Sequence, residues 1–241
     1  MASSASSSAP WRSGVAGARA HFWPGVTLQA ACLALVLAYY RYPPAREALA
    51  RIMQLKLAMG FSFGVLSTGF FGGFLPFCYL HSAKYRGGRP HYRWAQGLAL
   101  TAFWAYKGFE VDLFYRVLAW TVGTGHALAT ILPKALIDQG FYCPVFAVPV
   151  TVAVYQWTEA NFDWSATIAD WRAPHWYQRR VLPVLLSNLG VWLPAVALIY
   201  ALPTLLQLPL QNLVLCFFTL LIAHQTRAQS AEPAPGLDCP L

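Results

Sequence analysis

The sequence predicts an all-α fold: a polytopic helical membrane bundle of about five to six hydrophobic helices, several of them proline-kinked, with further helices at the membrane interface. Composition is the first observation behind this prediction, because 57% of the 241 residues are hydrophobic, 11% are charged and the mean hydropathy is +0.44. Soluble domains carry about 25% charged residues, so a soluble chain with this composition would expose large apolar patches. The second observation is that apolar runs of near-spanning length recur along most of the chain.

These runs define a single helical membrane domain, residues 23–224, between two polar tails. Residues 1–22 are rich in Ser and Ala, which predicts a disordered tail; the same basic, acid-free composition is also typical of a mitochondrial transit segment. Residues 225–241 are polar and Pro-rich, and we expect them to be disordered as well. No stretch free of apolar runs is long enough for a separate soluble domain.

The first half of the membrane domain contains three candidate spans. Residues 25–40 and 57–80 are apolar, and a Tyr-Pro-Pro break at residues 42–44 lies between them. Residues 45–56 mix charged with apolar side chains, which predicts an interfacial helix or the entrance to the second span. A third helix is predicted from residue 94 to about residue 122, although its charges begin at residue 107.

The second half is interrupted more often. Residues 123–141 are of mixed character, and a short fourth span is predicted at 141–157. Residues 158–180 are polar and aromatic, as in a surface loop or an interface-lying helix with an aromatic belt. A closing pair of spans follows at 181–202 and 205–224. The prolines predicted to kink these helices are Pro144, Pro149, Pro194 and Pro203.

The net charge of +8 bears first on membrane topology. Residues 81–93 carry four basic side chains and no acid, the strongest inside-facing signal in the chain. Two crossings would place residues 158–180 on the same side, and the N-terminus joins them if both early runs span. The basic residues within 41–56 then lie on the opposite side, which conflicts with the positive-inside rule. The lipid bilayer is the expected partner; nucleic acid is not, because the basic residues form no patch motif.

Glycines concentrate in the second span. Gly60 and Gly64 form a G-x-x-x-G step, which lets two helices approach closely in lipid. The same stretch, with Ser62, matches the G-x-S-x-G string of hydrolases, but that elbow needs a strand before it and a His and an acid partner. We therefore favour helix packing. The glycines predicted to pack against another helix are Gly60, Gly64, Gly69, Gly72 and Gly73.

No cofactor, metal or catalytic site is predicted. The five cysteines form no C-x-x-C pair and the six histidines show no metal-ligand spacing. Most of the cysteines lie in apolar runs, where they are interpreted as small hydrophobic filler.

Charged residues inside the third helix are the candidate functional residues. Lys107 and Glu110 are three residues apart and Asp112 and Arg116 are four apart, so each pair can meet on one helix face, but the two pairs fall on roughly opposite faces. An ionised residue at the membrane centre costs about 2.5–3.5 kcal/mol. These charges either line a solute path or lie at the interface, where they cost little.

A second candidate pair, Lys134 and Asp138, is again four residues apart. One interpretation is a second polar contact directed into the bundle. The other is a solvated helix end.

Two stretches resemble the Mpv-type family, which includes the 22-kilodalton peroxisomal membrane protein. The first stretch contains Asp112, Arg116, Gly123, Gly125, Lys134, Asp138, Gln139 and Pro144. The second contains Asn188, Trp192, Pro194, Ala195, Pro203 and Asn212. Together they cover roughly residues 105–225. The resemblance implies a small multi-span, channel-like protein for small solutes, in a mitochondrial inner, peroxisomal or bacterial inner membrane.

The chain also departs from the family pattern. Residues 196–200 stand where the family has a Gln and an Asn-Phe pair, and Gln207 lies near the place of a family Arg. The apolar run at the N-terminus is additional to the usual four spans of eukaryotic members. These differences indicate a divergent member, of bacterial or organellar origin.

The sequence therefore predicts a non-enzymatic integral membrane protein. A weakly selective channel or pore for small solutes is the first hypothesis, with Lys107, Glu110, Asp112, Arg116, Lys134, Asp138 and Gln139 as candidate pore residues. A non-transporting scaffold or assembly factor is the alternative, and an intramembrane enzyme would rest on Ser62 alone. A homo-oligomer is also possible, although a homo-oligomer without any other partner would count against the scaffold.

Overall fold

The computed structural model describes residue 19, residues 22–82 and residues 92–231, and within these residues it contains eight helices and no strand. The all-α prediction is confirmed. Among the described residues, four helices are long and apolar enough to cross a membrane: α1 (Phe22–Arg41), α3 (Phe61–Ser82), α5 (Leu128–Glu159) and α7 (Tyr177–Tyr200). The others are α2 (Pro43–Met59), α4 (Trp94–Thr121), α6 (Trp164–Arg172) and α8 (Thr204–Ala231).

The largest difference from the predicted elements is in α5. Residues 123–141 were expected to precede a short span, whereas the structure has one helix from Leu128 to Glu159. Lys134 and Asp138 consequently lie inside a helix and are buried, so the interpretation as a solvated helix end is wrong. At the other extreme of the chain, α8 continues to Ala231, beyond the predicted end of the membrane domain at residue 224.

Three π-helical segments interrupt the long helices, and each is associated with a proline. Gly69–Phe74 precedes Pro76, Asp138–Ala147 contains Pro144, and Tyr177–Val181 precedes Pro183. Proline lacks an N–H and its ring clashes with the carbonyl of residue i−4. In the wider π-turn that carbonyl lies away from the proline ring, so each helix continues past its proline.

The remaining predicted kink prolines occupy different positions. Pro149 lies inside α5, directly after the end of its π-helical segment. Pro194 lies inside α7. Pro203 lies between α7 and α8, so it separates two helices and does not kink one.

Helices α3 and α4 form a close antiparallel pair through small residues. A methyl group on Gly73 would lie 2.6 Å from Thr101 Cα, one on Gly69 would lie 3.1 Å from Ala105 Cβ, and one on Gly64 would lie 2.7 Å from the carbonyl oxygen of Gly108. The residue numbers of the partners in α4 decrease as those of the glycines in α3 increase, as expected for antiparallel helices. Backbones this close exclude larger side chains, as in small-residue interfaces of membrane helices.

The glycine prediction needs one correction. Gly60 has a φ of 56° and ends α2, and no atom lies within 4 Å of a Cβ placed on it. It therefore belongs to the turn between α2 and α3, where its positive φ is tolerated. The contact surface on α4 was not predicted; it consists of Gly97, Thr101, Ala105 and Gly108.

The other contacts fix the direction of every long helix. Helix α5 is antiparallel to α4, because Gln96 contacts the backbone of Thr158 at one end and Lys107 contacts Tyr142 further along. Tyr200 of α7 reaches Asp138 near the start of α5, so α7 is antiparallel to α5. Helix α8 runs parallel to α3, because Gly64 faces Leu208 and Gly72 faces Leu215. Helix α1 runs parallel to α7, because Gly25 faces Val191 and Tyr40 reaches the carbonyl of Ala201. In consequence α1, α4 and α7 point one way and α3, α5 and α8 point the other.

This alternation gives the bundle two distinct ends. The α6 end carries α6 and the exposed side chains of Trp94 and Trp164; the α2 end carries α2 and the exposed Tyr42 and Trp120. Exposed aromatic residues at both ends match the belts found at the two faces of a bilayer. The predicted basic loop, residues 81–93, falls largely outside the described residues, but the helices that flank it meet at the α6 end, as do residues 158–180.

Helix α8 lies at the centre of the bundle and packs against α1, α2, α3, α4 and α7. Its fully buried apolar side chains include Leu206, Leu208 and Val214. The outer helices are mostly exposed; only 11% of the most apolar window of α5 is buried. Large apolar surfaces that face outward are stable in lipid but not in water.

The glycine contact between α3 and α4 predicts opposite effects for two glycine substitutions. Gly108→Ala forces apart two backbones and should lower the free energy of unfolding by about 1–3 kcal/mol. Gly190→Ala, in α7, meets nothing within 4 Å and should raise it by up to about 1 kcal/mol through helix propensity. Unfolding in mixed micelles by SDS titration measures both. Equal effects of the two substitutions would contradict the close approach.

Candidate functional site

The first buried polar cluster joins α2 to α4. Lys56 Nζ lies 2.8 Å from Asp112 Oδ1, and Arg116 Nη2 lies 3.1 Å from Asp112 Oδ2. The side chains of Lys56 and Asp112 are each 1% exposed, whereas that of Arg116 is 43% exposed. The guanidinium of Arg116 also lies over the ring of Phe61, 4.4 Å from its centroid. One carboxylate thus neutralises two cations from two helices.

The second cluster joins α4 to α5. Lys107 Nζ lies 2.5 Å from Glu110 Oε1, and it lies 3.1 Å from the hydroxyl oxygen of Tyr142. The Tyr142 hydroxyl donates a hydrogen bond to the same Glu110 oxygen. The ring of Tyr142 stacks on Phe114, with 4.1 Å between centroids. The two charge pairs of α4 therefore point to different neighbours, one to α2 and the other to α5, as their spacing predicts.

The third cluster surrounds the carboxylate of Asp138. Tyr200 Oη donates to Asp138 Oδ2 over 2.6 Å, and Gln139 Nε2 donates to Asp138 Oδ1 over 3.0 Å. The Cys143 thiol also lies 3.4 Å from Oδ1. Both carboxylate oxygens therefore have partners from within the bundle.

The expected Lys134–Asp138 pair is not formed. The Lys134 ammonium lies over the ring of Tyr200 at 5.7 Å from its centroid, and no ion pair of Lys134 is present among the described residues. The Asp138 N–H still bonds to the Lys134 carbonyl, so the turn between them is regular, but both carboxylate oxygens are taken by Tyr200 and Gln139.

A cavity of about 770 Å³ lies inside the bundle, between α3, α4, α5, α7 and α8. Lys107, Asp138 and Gln139 line it at its deep part. The other predicted pore residues, Glu110, Asp112, Arg116 and Lys134, are not part of its wall. The volume is within the range of about 300–1,000 Å³ that is usual for small-molecule sites.

The cavity extends to the α6 end but is closed toward the α2 end. Its wall at the α6 end contains Tyr92 before the start of α4, Glu159 at the end of α5 and Arg180 near the start of α7. In the other direction Tyr115 closes the wall, and its ring contacts that of Tyr200, with 5.5 Å between centroids. Both tyrosines are almost completely buried.

Helix α6 covers this end of α5 and is held by its own cap and by ion pairs. The Asp163 carboxylate accepts hydrogen bonds from the Ala166 N–H at 3.0 Å and from the Ser165 hydroxyl at 2.7 Å, and these hold the pKa of that carboxyl below its usual value. Further along α6, Asp170 pairs with Arg180 at 3.2 Å. The cation at the cavity's α6 end is thereby neutralised.

Sequence reasoning missed several polar residues of the cavity wall. Asn188 entered only through the family resemblance, and Gln156 and Gln211 were not singled out. Single polar residues in apolar runs carry no signal of which helix face they occupy, so only the packing identifies them. Ser62 is exposed in α3, away from this wall. Across the described ranges, no three His, Cys, Asp or Glu side chains are grouped in a way that could hold a metal ion.

Comparison of the chain with protein-family models, with curated proteins and with solved structures finds no match in any of the three. Membership in the Mpv-type family stays a prediction from the motifs quoted above. The long apolar helices support an integral membrane protein.

The buried Lys56–Asp112 pair predicts a strong effect on stability. Asp112→Asn leaves the Lys56 ammonium without its anion in a site closed to water, which should cost about 3–5 kcal/mol of unfolding free energy. Asp170→Asn, which removes the anion of a partly exposed pair, should cost less than about 1 kcal/mol. SDS titration of both variants checks this, and equal costs would contradict a structural role for the buried pair.

Proposed function

We propose that this integral membrane protein conducts small solutes across its membrane through the cavity, as a weakly selective channel or pore. The observation that carries the proposal is the cavity itself: a volume of about 770 Å³ inside a helical bundle, with Lys107, Asp138 and Gln139 in its wall. Polar groups inside membrane bundles are costly and commonly mark solute pathways. The motif resemblance to the Mpv-type family supports the same class of function.

Conduction requires the closed end of the cavity to open. Tyr115 and Tyr200 are the side chains that separate the cavity from the α2 end, and Tyr200 is fixed by its hydrogen bond to Asp138. Opening would break that hydrogen bond and move the Tyr200 ring out of its packing against Tyr115. Asp138 then has two roles in the proposal, as part of the solute path and as the anchor of its closure.

The alternative is a non-transporting scaffold or assembly factor, and one observation favours it. Asp112 and Arg116 were expected among the pore residues, yet Asp112 pairs with Arg116 and with Lys56 outside the cavity wall. Half of the charges of α4 are accordingly explained by helix packing alone. A scaffold would copurify with a stoichiometric partner in mild detergent, whereas a channel would be obtained alone or as a homo-oligomer.

A matched pair of tryptophan substitutions in α5 tests conduction. Val152 lines the cavity, whereas Val145 is 56% exposed on the outside of the same helix. Osmotic swelling of liposomes that contain the purified protein should be faster than that of protein-free liposomes for at least one small solute. Val152→Trp should reduce the excess rate at least about tenfold by narrowing the path through the cavity, and Val145→Trp should leave it unchanged.

Folding of each variant is checked by a monodisperse elution profile before reconstitution. Well-folded wild-type protein that transports none of a series of neutral and charged solutes would contradict conduction. An equal loss of transport in Val152→Trp and Val145→Trp would contradict a solute path through the cavity.

A further inference from the structure

The cavity wall has a composition that favours one class of solute. Between its polar ends it is formed mainly by aromatic and aliphatic side chains, which include Trp104, Phe114, Tyr155, Trp192, Leu215 and Phe218. An apolar wall favours the apolar part of a ligand, because it removes that surface from water. A fully hydrated solute such as a sugar would lose its water contacts there and find few replacements.

The charged groups of the wall are already neutralised or hydrogen-bonded by the protein. Lys107 pairs with Glu110 and Arg180 pairs with Asp170. Asp138 accepts hydrogen bonds at both carboxylate oxygens. Glu159, the remaining charged group of the wall, accepts a hydrogen bond from the Tyr92 hydroxyl over 3.2 Å. A charged solute would have to exchange its hydration for a largely apolar, low-dielectric space, which is unfavourable.

The polar groups that remain free in the wall are neutral. The buried carbonyl oxygen of the Gln211 side chain has no hydrogen-bond partner, and the Asn188 amide makes no side-chain hydrogen bond with any residue that the structure describes. Both line the cavity, Asn188 from α7 and Gln211 from α8. An unpaired buried polar atom is costly, and a ligand group that pairs with it recovers that cost.

We infer that the solute is an uncharged amphipathic molecule, with an apolar body and at least one neutral hydrogen-bonding group such as a hydroxyl or an amide. Asn188 and Gln211 bind that group, and the aromatic wall binds the body. This inference names the solute class for the conduction proposed above and rests on it, but its test reads binding directly and needs no transport.

A photoactivatable octanol that carries a diazirine is the probe. It is added to the full-length protein in nanodiscs, and the adducts are located by peptide mass spectrometry. Adducts should fall on residues of the cavity wall, such as Trp104, Val152 and Asn188. Excess octanol should prevent them, whereas octanoate and octylamine at equal membrane-bound concentration should not.

Two variants test the binding residues and the site. Asn188→Leu/Gln211→Leu should weaken competition by octanol at least about fivefold, because both hydrogen-bonding amides are removed at similar side-chain size. Gln54→Leu, at an exposed position of α2, should not change it. Val152→Trp should abolish cavity adducts and leave those on the lipid-facing side.

Three results would overturn the inference: adducts confined to outward-facing residues such as Val145, competition by octanoate or octylamine as strong as that by octanol, or a double variant that competes like the wild type. Other results distinguish a failure of the proposed function from a failure of this inference. Cavity adducts in a protein that transports no solute would contradict conduction alone, and transport without cavity adducts would contradict the solute class alone.

Discussion

A charge inside a membrane bundle has little water to solvate it and must find its partner within the protein. This constraint determines the surroundings of α4, which carries Lys107, Glu110, Asp112 and Arg116 in little more than two turns. Asp112 holds α2 against the bundle through Lys56, and Glu110 holds α5 through the hydroxyl of Tyr142. Helix α2 is otherwise largely exposed, and Leu49 and Met53 supply its apolar contact with the core beside that ion pair.

Packing on the two sides of α4 differs, and the difference creates the cavity. Toward α3 the contact is made by glycine, alanine and threonine, so the two backbones nearly touch. Toward α5 and α7 the contact is made by large rings, among them Trp104, Phe114 and Tyr155, which keep these helices further apart. The close α3–α4 pair thus forms one wall of the cavity. The cavity lies between this pair and the helices that the aromatic rings keep further away.

Much of the fold could be predicted from sequence because apolar runs and prolines mark spans and breaks independently of tertiary contacts. The prediction failed where a tertiary contact overrides local polarity. Lys134, Asp138 and Pro144 resemble a helix end, but Tyr200 satisfies the carboxylate and a π-helical turn accommodates the proline. The site was predicted in part. Lys107, Asp138 and Gln139 line the cavity. Asp112 instead pairs outside the cavity wall with Arg116 and with Lys56, which lies in the segment predicted as an interfacial helix or the entrance to a span.

The central claim is that the cavity is open to the α6 end and closed to the α2 end. Cysteine accessibility at Asn188 tests this directly, in a protein whose native cysteines are replaced by alanine and which is reconstituted in one orientation. A membrane-impermeant methanethiosulfonate should modify Asn188→Cys from the α6 side, more slowly when Val152→Trp is present, and should not modify Leu208→Cys, which is buried outside the cavity. No modification of Asn188→Cys from the α6 side, or modification only from the α2 side, would contradict the account.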